Sequence, residues 1–157
     1  MALNEDTLVQ QTAADYLREV LGWRSEYAYN TEVLGPEGSF GRRTEHEVVL
    51  TRILGEKLVT LNPGLPDAAY RDALRQIVEV GAGLAGMAAN RDKYRQLRDG
   101  VKVTFRKPDG SLDARTLRVF DFDVPENNDF LAVRELWVKG DLYRRRPDII
   151  GFVNGIP

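Results

Sequence analysis

Apolar residues recur at helical spacing near the start of the chain. Leu8, Val9, Ala13, Tyr16, Leu17, Val20 and Leu21 fall on one stripe of a helix predicted over Glu5 to Leu21, with Gly22 as its stop. From Trp23 to Gly41, Gly35, Pro36, Gly38 and Gly41 break any period, which predicts an exposed irregular loop with a short strand around Tyr27 to Tyr29. Thr44 and Glu47 have capping-box spacing, so a second helix is predicted from there to Leu61, with Val49, Leu50, Ile53, Leu54, Leu58 and Leu61 on its inner face. Asn62-Pro63-Gly64 ends it, and Pro66 opens a third helix whose stripe is Ala69, Ala73, Leu74, Ile77 and Val78. A further helical stretch covers Asn90 to Leu97. After Gly100 the period becomes two: Val101, Val103 and Phe105, the turn Pro108-Asp109-Gly110-Ser111, then Leu117, Val119 and Phe120 predict a β-hairpin. Phe130 to Val138 and Ile149 to Val153 read as two more strands, joined by the charged Lys139 to Arg146 connection. Helices come first and strands second, an α+β (or α/β) order.

Composition narrows the picture. A chain of 157 residues with 43% apolar content can bury one core, so a single domain over 1–157 is expected. The net charge of -2 gives no overall basic field, and any nucleic-acid contact must be local. The absence of cysteine excludes a disulfide scaffold, a thiolate metal site and a cysteine nucleophile. No basic segment leads into an apolar run at the N-terminus, and no apolar stretch approaches roughly 18 residues. A soluble, unexported, cytoplasmic protein with no membrane partner is expected.

Three signals fail on context. Gly81, Gly83 and Gly86 spell G-x-G-x-x-G, but a helical pattern precedes them where a dinucleotide fingerprint needs a strand; a helix break or close backbone packing fits better. Asp121, Asp123, Glu126 and Asp129 lack the ligand and glycine order of an EF-hand and read as a solvated turn. His46, the one histidine, excludes histidine-based metal clusters within the chain and reads as a surface residue in a first helical turn.

The segment Arg144-Arg145-Arg146-Pro147-Asp148-Ile149-Ile150-Gly151-Phe152-Val153-Asn154-Gly155 places a single carboxylate at the head of an apolar strand. Asp148 is a hard oxygen donor suited to Mg²⁺, and Pro147 fixes the approach of the chain. The same placement also fits an ordinary turn or capping residue. Arg144, Arg145 and Arg146 offer a local cationic patch for phosphates, or simply a solvated connection. Asn154-Gly155 predicts a tight hairpin turn, with a further strand expected beyond Pro157.

Arg145-Arg146-Pro147-Asp148 followed by Phe152-Val153-Asn154-Gly155 resembles the first half of the nuclease motif of the type I restriction enzyme R subunit (HsdR), a PD-(D/E)xK enzyme. Gly22-Trp23, Asn90 to Leu97, Arg118 to Asn128 and Asn128 to Val138 extend the resemblance over nearly the whole chain. It implies a restriction-endonuclease-like mixed sheet with N-terminal helices, and Mg²⁺-dependent cleavage of double-stranded DNA. Asp148 would be a catalytic metal ligand, with Glu5 as an additional acid near the metal and Arg144, Arg145 and Arg146 on DNA phosphates. The family's Glu-x-Lys would lie on a strand after Pro157, so the chain by itself is expected to be inactive. No Gly-x-x-x-x-Gly-Lys-Ser/Thr occurs, so ATP would serve only a downstream translocating motor, with methyltransferase (M) and specificity (S) subunits as partners. The rival reading is a nuclease-like module that docks the restriction complex without chemistry. A small stand-alone DNA-binding protein is disfavoured by the net acidity.

Overall fold

The computed structural model describes residues 5–79 and 86–157, with side chains from residue 8 onward. Its elements are α1 (Glu5–Glu19), β1 (Arg24–Tyr27), α2 (Thr51–Leu61), α3 (Asp67–Val78), α4 (Gly86–Asp99), β2 (Val101–Arg106), β3 (Leu112–Leu117), β4 (Phe130–Arg134), β5 (Val138–Lys139), β6 (Arg144–Arg145) and β7 (Ile149–Val153). A 3₁₀ turn covers Pro125–Asn127. The α+β class expected from the pattern is what the chain adopts. The residues form two units, Met1–Ile53 with Asp129–Pro157, and Leu54–Asn128.

In the first unit, α1 stops as expected. Gly22 takes φ 70°, a left-handed turn that side chains disfavour, and Trp23 N donates to Leu17 O at 2.9 Å. The three-stranded sheet has the order β1-β4-β7, with β1 parallel and β7 antiparallel to the central β4. Its core comprises Ala28, Phe40, Leu50, Ile53, Leu131, Val133, Leu136 and Phe152. Trp23 lies over Gly151, where a Cβ would come within 3.1 Å of the indole, and meets Phe130 with ring centroids 5.3 Å apart.

Four features here go beyond or against what the sequence pattern conveys. The apolar stripe of α1 is not core: Leu8, Val9, Tyr16, Val20 and Leu21 are between 48% and 68% exposed, and Ala14 is the buried one among the helix's described side chains. Periodicity fixes the helix but not which face meets a partner. The second helix begins at Thr51, not Thr44, because the preceding backbone is used elsewhere: Arg42 Nη1 donates to Glu47 O at 3.0 Å and Leu50 N to Gly155 O at 2.8 Å. His46 is exposed as expected, but in that non-helical segment. The strand expected over Phe130 to Val138 breaks at Glu135, whose φ is 59°, leaving β4 and the short β5. The charged connection that follows holds β6, antiparallel to β5.

In the second unit, α3 buries Ala69, Tyr70, Ala73 and Ile77; Tyr70 replaces Val78 in the expected stripe, its hydroxyl donating to Asn62 O at 2.6 Å. Lys93 of α4 donates to Gln76 O, Ile77 O and Glu79 O, satisfying carbonyls at the end of α3. The β2–β3 hairpin forms around the predicted turn, Val101 with Leu117 through Arg106 with Leu112, but β3 runs from Leu112 and ends at Leu117, so Val119 and Phe120 of the expected strand lie beyond it. The turn after β3 is not simply solvated. Asp121 is 5% exposed and accepts from Asp123 N, Val124 N and Asn127 Nδ2, so its carboxylate organises the turn. The glycine-rich 81–85 stretch lies outside the described residues, and Gly86 opens α4.

Candidate nuclease site

Asp148 stands one residue before β7, at the end of the sheet where β4 finishes. The β4–β7 ladder closes with Arg134 opposite Ile149, and Glu135 N adds one more bond to Asp148 O at 3.1 Å. Pro147 contributes no N–H to this approach, so the backbone reaches the strand without a competing donor. The Asp148 side chain is exposed, and its carboxylate makes no hydrogen bond or ion pair among the described residues. It is therefore an open oxygen donor on a fixed strand end.

Its neighbours are held by charge and aromatic contacts. Glu135, which sequence reasoning did not single out, faces Asp148 across the strand end, but Arg146 neutralises it with Nε 2.9 Å from Oε2. The Arg146 guanidinium lies 4.4 Å from the Tyr29 ring centroid and 5.3 Å from that of Trp137. Arg144 sits 3.7 Å from the Trp137 centroid and bonds both oxygens of Glu45, at 2.7 and 2.6 Å. Those guanidinium bonds hold the Glu45 carboxyl below its usual range and raise Arg144. Arg145 is exposed, has no ion pair among the described residues and lies 5.8 Å from the Tyr143 ring. Two of the three arginines are thus clamps on carboxylates, and all three are exposed.

Beyond β7 the chain turns as its sequence predicts. Asn154 and Gly155 have φ of 52° and 81°, and Val153 N and Ile156 N each donate to the other residue's carbonyl, closing a two-residue hairpin of type I′ sense. Asn154, fully buried, also accepts from Asp129 N at 2.7 Å and donates from its own N to Asp129 O at 2.8 Å. Asp129 in turn receives both arms of Arg24, at 2.9 and 2.7 Å. This polar knot fixes the far end of β7 and, through the strand, the position of Asp148.

Asp148 suits a hard dication as a single ligand. Among the described residues there is no group of three or more histidines and carboxylates that could hold a metal ion. Glu5 opens α1, and its side chain lies outside the described residues. A concavity of about 950 Å³ lies in the second unit beside Asn62 to Pro66 and the β2–β3 hairpin. Its one carboxylate, Asp113, is already paired with Lys107 and Arg115, which leaves no open acid there. No helix among the described residues is long and apolar enough to cross a membrane.

Comparison with known proteins identifies the family. The family model of the type I restriction enzyme R protein N terminus matches residues 2–157. The chain is 35% identical over 156 residues to the type I restriction enzyme HindI endonuclease subunit of Haemophilus influenzae. It is 28% identical over 158 residues to the putative type I restriction enzyme MjaIXP endonuclease subunit of Methanocaldococcus jannaschii. Each match covers 99% of this chain and 14% of the relative. With the motif around Asp148 on a strand end and the match running almost from end to end, the chain belongs to the family of type I restriction enzyme R protein N-terminal regions.

Proposed function

We propose that residues 1–157 form part of one endonuclease-like domain of a type I restriction R subunit, and that Asp148 is a ligand of the Mg²⁺ used to cleave double-stranded DNA. The observation that carries this reading is the open Asp148 carboxylate at the head of β7, followed by the hairpin turn at Asn154-Gly155. A strand bearing Glu-x-Lys after that turn would run beside β7 and bring its glutamate and lysine toward Asp148, with Glu5 as a further acid. A bound Mg²⁺ would lower the pKa of the attacking water and stabilise charge on the phosphorus. Asp148 itself supplies a fixed negative oxygen, and Arg145, with Arg144 and Arg146 if phosphate displaces their carboxylates, supplies positive charge to the DNA backbone. The motor that uses ATP would lie downstream, the M and S subunits would choose the site, and the assembly would work in the cytoplasm.

The test is Asp148→Asn in the full-length R subunit, assembled with its M and S subunits on a plasmid bearing the recognition site. Plasmid cleavage should fall about a hundredfold or more, since even outer-shell partners of a metal cost 10–100-fold, while ATP hydrolysis persists. Undiminished cleavage would sink the assignment. Loss of assembly would instead favour the docking-module reading, for which the exposed apolar face of α1 is the supporting observation.

A further inference from the structure

The β5–β6 hairpin is built as a rigid projection. Gly140 N donates to Tyr143 O at 2.8 Å, closing a tight turn around Asp141 and Leu142. Its base is tied down at three points: Lys139 N donates to Glu45 O at 2.9 Å, Arg144 grips both Glu45 oxygens, and Trp137 O accepts from the buried Arg42 at 2.9 Å. Yet this anchored ribbon carries apolar residues that no described residue covers, Leu142 at 85% and Tyr143 at 67% exposure. Beside them stand the exposed Lys139, Arg144 and Arg145, of which Arg144 holds Glu45 and Lys139 feels the same carboxylate, with Asp141 as the acid of the turn.

We propose that this hairpin is a DNA-groove probe, with Leu142 and Tyr143 against sugars and base edges and Lys139 and Arg145 on the flanking phosphates. A clamped loop can present apolar side chains to a partner without the ordering loss a mobile loop would suffer. A two-stranded ribbon fits the major groove of duplex DNA, roughly 12 Å wide. Lys139, Arg144 and Arg145 outnumber Glu45 and Asp141 on this arm, and the excess positive charge favours a polyanion. Arg145 is three residues from Asp148, so a backbone held by this arm lies within about 10 Å of chain reach of that carboxylate. The inference rests on the reading of Asp148 as part of a DNA-cleaving site, and adds to it the element that holds the substrate there.

The experiment uses the full-length R subunit with its M and S subunits, in an Asp148→Asn background so that DNA is bound without being cut. p-Benzoylphenylalanine at position 142 should crosslink on irradiation to a labelled duplex carrying the recognition site. Lys139→Ala with Arg145→Ala should weaken binding and reduce the slope of log affinity against log salt by about 2, roughly 0.9 for each phosphate no longer neutralised. Leu142→Ser with Tyr143→Ser, which removes only exposed groups, should weaken binding several-fold with an unchanged melting temperature. Crosslinks to protein alone, or parental affinity and salt slope in both double variants, would overturn the proposal. Persistent cleavage by Asp148→Asn alone would remove the catalytic reading, a result separate from where the crosslink falls.

Discussion

Arg42 is a charge with no contact with solvent. Its guanidinium bonds both oxygens of Glu32, at 2.8 and 2.5 Å, and the carbonyls of Glu47 and Trp137. It thereby ties three stretches of chain together. Removing one member of a buried pair strands the other, so Arg42→Ala should destabilise the protein by about 3–5 kcal/mol. Replacing Arg42 and Glu32 together with apolar residues should be less damaging, and urea denaturation of both variants checks the difference. The Glu45–Arg144 pair is more exposed and answers to pH. Hydrogen bonds from Arg144 depress the folded Glu45 carboxyl below its ordinary 4.5. The pair therefore stabilises the fold at pH values above 4.5, and this contribution is lost as pH falls through the depressed value. A carboxyl-carbon NMR titration should place the Glu45 midpoint below 4.5, and Arg144→Ala should return it toward that figure.

At the level of elements, the hairpin turn after β7 makes the sharpest demand on sequence. Asn154 tolerates the positive φ and uses its side chain to satisfy Asp129 N, so Asn154→Ala both strains the turn and leaves a buried donor unmet. A loss of about 1–3 kcal/mol is expected from the unmet donor, measured by thermal or urea unfolding. This turn, β7, the β2–β3 hairpin and the Gly22 stop were legible in the sequence because each depends on residues adjacent in the chain. The start of α2 was not, since the groups that keep residues 44–50 from coiling come from the side chain of Arg42 and from Gly155. Nor was the break at Glu135, where the backbone turns left-handed and the side chain meets an arginine eleven residues later. Asp148 could be singled out from its motif, whereas the partners of Arg144 and Arg146 before it, namely Glu135, Tyr29, Trp137 and Glu45, are assembled by tertiary contacts that no local pattern announces.

Across the whole molecule, class and family could be read from the chain, because helices cluster before strands and because the motif at Asp148 has a recognisable spacing. Which apolar faces end up covered could not. The stripe on α1 has the same period as that on α3, yet one is largely exposed and the other buried. The units differ in another respect. The Leu54–Asn128 unit is continuous, and its hairpin partners are near neighbours in sequence. The other joins two stretches far apart in sequence, with β1 pairing with β4 and Arg24 reaching Asp129, 105 residues away. During synthesis from the N-terminus, α1 and β1 must leave the ribosome and wait, without their sheet partners, until everything through β7 has been made. Helix α1, with its exposed apolar side chains, is thus a natural point for a chaperone to hold the nascent chain.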